Sequence, residues 1–349
     1  MTVPAWYCRP EARQSTCAPV GDAPTQFHRG LEGYAPTRLV EVPGIAQRFG
    51  VARAYVKDES ARLGLPAFKV LGASYAIHRT LSESAEPVST LVTATDGNHG
   101  HAVARTARLL GLRARVYIPT GVEPVVVTAI RAEGAEVTTL DASYDDTVAE
   151  AAADAQRTGA QLIQDTAWPG YEQVPAWIVD GYETLFGEVD RQLEEAGAGT
   201  PDLIAVPVGV GSLAQAAVRH YRSGSSEPSV LSVEPTSAPC TLASLAAGES
   251  VTVPAETTSM AGLNCGTLSS LAWPVLRDGL DAAVMVSDDD ADAATEMLAA
   301  DGVAAGPSGA ASLAGTAAAL GEESRRAELG IGEHSVVVML CTEGPLSGR

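Results

Sequence analysis

The chain has 349 residues, of which 46% are hydrophobic and 19% charged. That length fits about two domains of ~150 residues each, and the composition excludes a disordered chain or a fibrous repeat. Its 23 basic and 43 acidic residues give a formal net charge of -20, which repels phosphate backbones and anionic lipids. We therefore expect neither nucleic acid nor a membrane surface as a partner, and the apolar runs are too short to cross a bilayer.

The N-terminus and the cysteines indicate the compartment. The first 17 residues contain no basic stretch followed by an apolar one, so they do not resemble a secretion signal, and we expect this leader to be unstructured. The five cysteines are odd in number and irregularly spaced, which does not fit a disulfide framework. The sequence therefore predicts a cytoplasmic protein with free thiols.

Lysine is almost absent from the basic residues. Only two of the 23 are lysines, Lys57 and Lys69. Arginine stays protonated, whereas a lysine amine can lose its proton and form a Schiff base with an aldehyde. Lys69 directly follows Phe68 and precedes a run of small residues that opens a helix. A biased composition also explains the count, so the two lysines become informative only beside other motifs.

From about residue 88 onward, short β-rich runs alternate with helical patterns. The strands predicted in the first series are 88–95, 113–119, 136–140 and 161–164, and those in the second are 202–208, 230–235, 282–287 and 334–341. Such alternation is typical of βαβ units on parallel sheets. The stretch 194–201, rich in Gly and Ala, is the predicted surface connection between the two series.

Three consecutive acidic residues, Asp288 to Asp290, resemble a metal site at first sight. They follow Ser287 and open a predicted helix. A serine cap and acidic side chains both stabilise a helix N-terminus. We therefore interpret this run as a capped helix start.

A glycine-rich turn lies between a predicted buried strand and a helix in VPVGVGSLAQ. It comprises Gly209, Val210, Gly211 and Ser212. Exposed backbone N–H groups at a helix N-terminus bind phosphate, and glycine lets the backbone approach closely. The spacing does not match GxGxxG, and no GK[ST] follows, so a nucleotide site is disfavoured. An ordinary tight turn remains an alternative.

A second polar turn, TATDGNHGH, follows the first predicted strand. It carries Asp96, Asn98, His99 and His101. Ligands of open α/β sheets bind at the C-terminal ends of strands, which is where this turn lies. The alternative is that Asp96 or Asn98 caps the following helix. The two histidines lie two residues apart and would face different sides of a helix, so we expect no metal site.

A lysine, a phosphate cradle and a polar turn at a strand end together indicate pyridoxal 5′-phosphate. Five motifs resemble, in order, those of the fold-type II pyridoxal-phosphate enzymes, and most closely the diaminopropionate ammonia-lyases. These motifs are AFKVLGASY, ATDGNHG, QDTAWPGYEQVPAWIVDGY, PVGVGS and MLCTEG. The resemblance implies an α/β fold of two open, mostly parallel twisted sheets with helices on both faces, similar to the tryptophan synthase β chain. It also implies a homodimer active in amino-acid catabolism.

The same resemblance implies a domain division and catalytic roles. Residues 1–85 and 180–349 would form a large cofactor-binding domain, and residues 86–179 a small mobile one. Lys69 would hold the cofactor and act as a base on one face. Asp96 would be the base on the other face, and Asp165 would hold the amino end of a small amino-acid substrate. Two carboxyl groups so close together would raise one pKa.

The resemblance also implies the cofactor contacts. Phe68 and Lys69 would lie against the cofactor, with Asn98 at its 3-oxygen and Gly209 to Ser212 around its phosphate. Cys341 or Thr342 would meet the pyridine nitrogen.

The implied reaction converts D- or L-2,3-diaminopropionate to pyruvate and ammonia. The loop at 265–270 and the loop at 306–312 depart from the family pattern, which bears on the substrate. The alternatives are another pyridoxal-phosphate lyase acting on serine or threonine, or a non-catalytic binding protein on the same fold. Asp96 speaks against the first alternative and the retained Lys69 against the second.

Overall fold

The computed structural model describes residues 3–224 and 227–345. Residues 1–2, 225–226 and 346–349 of the predicted large domain therefore lie outside the described residues. The strands are β1 (Trp6–Cys8), β2 (Leu39–Glu41), β3 (Arg53–Asp58), β4 (Thr90–Ala94), β5 (Arg113–Pro119), β6 (Glu136–Leu140), β7 (Gln161–Leu162), β8 (Leu203–Pro207), β9 (Ser229–Pro235), β10 (Ala282–Val286) and β11 (Val336–Cys341). The helices are α1 (Ala23–Arg29), α2 (Pro43–Phe49), α3 (Lys69–Glu83), α4 (Asn98–Leu109), α5 (Pro124–Ala132), α6 (Tyr144–Thr158), α7 (Gln173–Gly181), α8 (Glu183–Glu195), α9 (Ser212–Tyr221), α10 (Cys240–Ala247), α11 (Ala272–Gly279), α12 (Asp288–Ala300), α13 (Pro307–Leu320) and α14 (Glu323–Leu329).

The strands form two sheets. The larger has the order β1-β10-β9-β8-β11-β3-β2, and the smaller has the order β6-β5-β4-β7. All pairs are parallel except at the two edges of the larger sheet, where β1 and β2 run antiparallel to their neighbours. The predicted class, two open and mostly parallel sheets with helices, is confirmed. Among the described residues, no helix combines the length and apolarity that crossing a membrane requires.

Strand β11 shows why the central strands are continuous hydrophobic runs. All six of its residues are buried. Val336, Val338 and Leu340 pack into one hydrophobic cluster, whereas Val337, Met339 and Cys341 pack into another. A parallel strand covered on both faces must be apolar at every position. This burial places the carboxyl end of β11 in the middle of the molecule.

The predicted strands match the observed ones to within a few residues, but the prediction for the N-terminus is wrong. The leader is packed on the larger sheet. Trp6–Cys8 forms the edge strand β1, Ala12 is buried, and Arg13 forms an ion pair with Asp281 at 2.8 Å. A three-residue edge strand has too little periodicity to be recognised in a sequence.

The stretch 194–201 lies at the surface between β7 and β8, so it connects the two strand series as predicted. It joins the end of α8 to β8. Helix α8 packs on α9 and on β2, so this stretch belongs to the unit built on the larger sheet. The strands of the smaller sheet all fall within the predicted 86–179 range, and the mobility of that unit stays a prediction.

The acidic run at 288–290 is a helix start, as predicted. Ser287 Oγ accepts the N–H of Asp290 at 3.2 Å, and the Asp290 carboxylate accepts the N–H of Ser287 at 3.0 Å. This reciprocal pair is a capping box. The run is therefore explained without a metal.

A buried group of charges stabilises the larger sheet beneath the segment that leads to Lys69. Lys57 Nζ donates to Glu188 Oε2 at 2.7 Å, and Arg62 bridges Glu188 and Glu59 at 2.7 and 2.6 Å. All four side chains are almost completely buried. Burial opposes ionisation of Glu188, but Arg62 and Lys57 lower its pKa to about 2. Lys57 therefore has a structural role and is not available as a cofactor anchor.

Replacing Lys57 with Met leaves part of the buried negative charge uncompensated. We expect Lys57→Met to lose about 3–5 kcal/mol of the free energy of unfolding, as measured by urea denaturation at pH 7. The matched control is Arg277→Met, which breaks an exposed pair with Asp278 and should leave the free energy of unfolding nearly unchanged, because solvent screens such a pair. Equal losses in the two variants would contradict the role assigned to this buried group.

Candidate active site

Lys69 begins α3 beside the carboxyl end of β11, a strand of the larger sheet. The N–H of the preceding Phe68 donates to Thr342 O at 3.2 Å, which fixes the helix start to the residue after β11. Lys69 Nζ donates to Asp165 Oδ2 at 2.6 Å, and its side chain is 19% exposed. Burial disfavours the charged amine, but the Asp165 carboxylate outweighs this effect and raises the pKa of Lys69 above its ordinary value. The lysine is accessible, positively charged and held by one acceptor.

Asp165 is placed by the residue before it. Gln164 is fully buried, and its Oε1 accepts the N–H of Ala94 at 3.0 Å and the hydroxyl of Thr93 at 3.1 Å. Both donors lie at the end of β4, so Gln164 fixes Asp165 beside that strand end. Burial alone would raise the pKa of Asp165, but the neighbouring His99 and Lys69 lower it to about 2. Asp165 is therefore ionised throughout the neutral range.

His99 is a buried neighbour of this pair. Its Nε2 lies 2.8 Å from Ile163 O, so this nitrogen carries the proton, and its Nδ1 lies 3.8 Å from Asp165 Oδ2. Burial lowers the pKa of His99, so the ring is neutral near pH 7 and Lys69 is the cation beside Asp165. His99 lowers the pKa of Asp165 only at acid pH, where the ring is charged. The second histidine of the motif, His101, instead faces Glu133. The two rings therefore point apart, as their spacing predicts.

Asp96 follows β4 and is half-buried beside the same pair. Burial and the Asp165 and Asp145 carboxylates raise the pKa of Asp96 to about 7. The pKa of Asp96 is thus raised and that of Asp165 lowered, as expected for neighbouring acids of which one is paired with a cation. Near neutral pH, Asp96 is present both with and without its proton.

The helix-cap explanation of Asp96 does not hold. The residue at the N-cap of α4 is Gly97, which has no side chain with which to cap the helix. Thr95 Oγ1 instead accepts the N–H groups of Gly97 at 2.9 Å and Gly100 at 3.0 Å. Because the threonine hydroxyl takes the capping role, the Asp96 carboxyl is free for another one.

The turn at 209–212 forms a cradle of backbone N–H groups at the start of α9. Gly211 has φ +93°, and a Cβ there would lie 2.9 Å from Ala272 Cβ. A Cβ on Gly209 would lie 3.0 Å from Gly262 O. Within the described chain, the N–H groups from Gly209 through Leu213 have no acceptor. Glycine is therefore required here, and the turn presents free donors as a phosphate site does.

The cradle is tied to the lysine through one residue. Ser212 Oγ donates to the backbone oxygen of Asp165 at 2.8 Å, while the side chain of Asp165 holds Lys69. The predicted contact of Ser212 with phosphate therefore falls to its backbone N–H, because its hydroxyl is already used. Asp165 thus connects the amine of Lys69 to the anion-binding turn. Pyridoxal phosphate carries an aldehyde, which condenses with an amine, and a phosphate, which such a turn binds, so these residues fit that cofactor.

The segment that follows β11 contains Glu343, a residue that the sequence reasoning missed. Glu343 accepts a hydrogen bond from Asn98 Nδ2, which joins the start of α4 to the larger sheet. Burial raises the pKa of Glu343, and Ser308 and Asn98 partly offset this effect. Cys341 Sγ faces Glu343 O at 3.4 Å, and Thr342 Oγ1 faces Ser308 O at 3.4 Å. The roles assigned to Asn98, Cys341 and Thr342 stay predictions.

Two further side chains lie in the site without having been singled out for it. Tyr144 Oη accepts a hydrogen bond from Gln164 Nε2 at 3.1 Å. Burial and the Asp165 carboxylate raise the pKa of Tyr144 well above its ordinary value, so it remains a phenol. Cys265 lies beside Gly209, with Sγ 3.1 Å from where a Cβ would be. No sequence signal identifies Tyr144, because its position depends on the packing of α6.

The aromatic residues of the QDTAWPGYEQVPAW motif mainly serve packing. Trp177 is buried in the core. Trp168 stacks on Tyr171 with ring centroids 4.5 Å apart, and Tyr171 Oη donates to Leu162 O at 3.0 Å. All three side chains therefore contribute to packing.

Known proteins match both the sequence and the structure. A family model described as "Pyridoxal-phosphate dependent enzyme" matches residues 31–342. The diaminopropionate ammonia-lyase of Salmonella typhimurium is 39% identical over 303 residues, which are 80% of this chain and 74% of the relative. That of Escherichia coli is 37% identical over 348 residues, with 91% and 87% covered.

A solved structure of a diaminopropionate ammonia-lyase is also similar to this chain. The E. coli enzyme in complex with an aminoacrylate-PLP azomethine reaction intermediate superposes with a TM-score of 0.89 at 34% identity, covering 99% of this chain and 96% of that one. The chain therefore belongs to the pyridoxal-phosphate-dependent enzymes, in the family of the diaminopropionate ammonia-lyases.

Proposed function

We propose that this protein converts 2,3-diaminopropionate into pyruvate and ammonia with pyridoxal phosphate. The observation that carries the proposal is the pair of carboxyl groups beside Lys69, because Asp165 is ionised while Asp96 has a pKa of about 7. A diamino acid needs an anion to bind an ammonium group and an acid or base to move protons. The two relatives described above are diaminopropionate ammonia-lyases.

The chain has a partner for each end of the cofactor. When bound, the cofactor supplies an electron sink for the charge left at the substrate Cα. Lys69 would anchor it covalently against the ring of Phe68, over which Nζ already lies at 5.5 Å from the centroid. The N–H groups of the 209–212 turn would hold its phosphate.

The ring of the cofactor would lie between α4 and the end of β11. Asn98 would face the 3-oxygen, and Cys341 or Thr342 would face the pyridine nitrogen. Asn98 donates to Glu343 in this structure, so its amide nitrogen already points across to the larger sheet. A neutral partner at the pyridine nitrogen favours elimination over transamination.

The three ionisable side chains would divide the proton transfers. Asp165, ionised at neutral pH, would bind the ammonium group of the substrate. Lys69 would take the Cα proton on the face to which it is tethered, and Asp96 would take it on the opposite face. Because ammonia leaves readily only when protonated, the protonated fraction of Asp96 is also suited to serve as the acid.

We further propose a cytoplasmic homodimer in which the 86–179 unit moves against the remainder. Leu109 and Leu110 are 72% and 50% exposed, and such an apolar pair supports a subunit contact. The five cysteines are unpaired, which supports a reducing compartment. The Lys69–Asp165 and Asn98–Glu343 bonds join the two units at the site, so closure would assemble the catalytic groups.

Replacing Lys69 with Arg tests the anchor. Lys69→Arg keeps the positive charge, but a guanidinium does not condense with the aldehyde. We expect the variant to lack the visible absorption band of lysine-bound cofactor and the borohydride-reducible link, and to form no pyruvate. Lys57 is still present in this variant, so a reducible link at full occupancy would show that Lys69 is not the anchor.

Replacing Asp96 with Asn tests the second base. Asp96→Asn keeps the shape but removes the proton acceptor, and general bases contribute about 10²–10⁴-fold. We expect turnover of D-diaminopropionate to fall by that order with the cofactor still bound, and turnover of the L-isomer to fall less. Both isomers fall together if Asp96 also protonates the departing ammonia.

The pH dependence gives a second measurement for Asp96. In the unaltered enzyme, kcat/KM for the D-isomer should rise as the pH passes upward through about 7, where Asp96 ionises. Asp96→Asn should lose this limb, whereas the exposed control Asp141→Asn should keep it. Near-normal turnover of both isomers by Asp96→Asn would rule out this role.

A further inference from the structure

Tyr182 is buried beneath Lys69 by a close contact between α3 and α7. Its ring lies 4.9 Å from that of Phe68, centroid to centroid. A Cβ on Gly72 would lie 2.6 Å from Tyr182 Cε1 and 2.8 Å from Cζ, and a Cβ on Gly181 would lie 2.6 Å from Leu71 O. Both glycines are thus required for the two helices to approach this closely. Gly72 is one helical turn after the lysine, so the phenol packs on the face of α3 that carries Lys69.

The hydroxyl of Tyr182 has no hydrogen-bond partner among the described residues, although the side chain is completely buried. A buried hydroxyl without a partner is costly, and native proteins rarely retain one without a reason. Burial raises the pKa of Tyr182, so the group stays a phenol and keeps its O–H donor. Lys69 Nζ and the Tyr182 ring both lie against Phe68, at 5.5 and 4.9 Å from its ring centre. Tyr182 also interacts electrostatically with Lys69 and with its partner Asp165, and of these two groups the amine is the one that can gain or lose a lone pair for this hydroxyl to serve.

The two states of the lysine amine need different partners. An ionised carboxylate only accepts hydrogen bonds, so Asp165 stabilises the charged amine. Attack on an aldehyde and removal of a proton both require the neutral amine, whose lone pair accepts a hydrogen bond. A phenol O–H is the donor that this state lacks.

We propose that Tyr182 is a positioning residue whose hydroxyl donates to the neutral amine of Lys69. Asp165 would then stabilise the charged amine of Lys69, and Tyr182 would stabilise the neutral amine. The inference rests on the proposed function only in taking Lys69 as the lysine that binds the cofactor.

The test is Tyr182→Phe in the full chain freed of cofactor. The rate of covalent attachment of pyridoxal phosphate is measured against pH through the visible band. In the variant the charged amine of Lys69 still donates to Asp165, whereas the neutral amine no longer accepts a hydrogen bond from residue 182. We expect the acidic limb of the profile to move upward by about one pH unit, which is about a tenfold slower rate on that limb. Removing an unpartnered hydroxyl should leave the Tm unchanged or higher.

Tyr55→Phe is the matched control, because Tyr55 on β3 also has a buried hydroxyl without a partner and interacts with Glu41 and Arg53 instead of Lys69. The acidic limb of the Tyr55→Phe profile should not move. A limb that stays in place or moves downward in Tyr182→Phe overturns the proposal, as does a Tm loss that Tyr55→Phe does not share. The assay contains no diaminopropionate, so an enzyme that binds cofactor normally but forms no pyruvate would contradict the proposed function and leave this inference standing.

Discussion

The ion pair between Lys69 and Asp165 joins the two halves of the molecule at the point where their strands end. Lys69 begins the helix that follows the larger sheet, and Asp165 lies just beyond the edge strand of the smaller one. The pair spans 2.6 Å. The backbone of Asp165 also accepts the Ser212 hydroxyl of the cradle, so one short segment fixes both the lysine and the phosphate site. The other groups of the site are arranged around this segment.

The two lysines of this chain serve different purposes because their surroundings differ. Lys57 is enclosed by Glu188, a glutamine and a backbone oxygen, and it has no route to a ligand. Lys69 has one carboxylate on one side and an open face, with 19% of its side chain exposed. A charge that is completely surrounded stabilises a fold, whereas a charge with one partner and one open side can change that partner during a reaction.

Most of the fold could be predicted from the sequence, because parallel strands buried on both faces are continuous apolar runs. The edge strands could not, and neither could the interior strand β3, in which Lys57 and Asp58 interrupt the apolar run. β1 and β2 are three residues long and antiparallel, and their pairing depends on tertiary contacts instead of periodicity. Composition identified the surface stretch 194–201, but it does not show that α8, which precedes this stretch, packs with the larger sheet.

The same distinction between local patterns and tertiary contacts applies to the residues of the site. The lysine, the glycine turn and the Asp96 turn are local motifs, and the structure brings Lys69, Asp96, Asp165 and the 209–212 turn together. Glu343, Tyr144 and Tyr182 reach the site through helix packing and a close approach at two glycines, which no local pattern encodes. The choice between a helix cap and a base at Asp96 also needed the structure, because only the structure shows that Thr95 accepts the capping hydrogen bonds.

The products formed by the cofactor-loaded enzyme decide whether the two carboxyl groups serve a diamino acid. D- and L-diaminopropionate and D- and L-serine are supplied separately, and pyruvate and ammonia are counted in each reaction. Elimination from diaminopropionate releases both of its nitrogens, so we expect two ammonia for each pyruvate, with serine a poorer substrate. Pyruvate from serine together with none from either isomer of diaminopropionate would contradict this account.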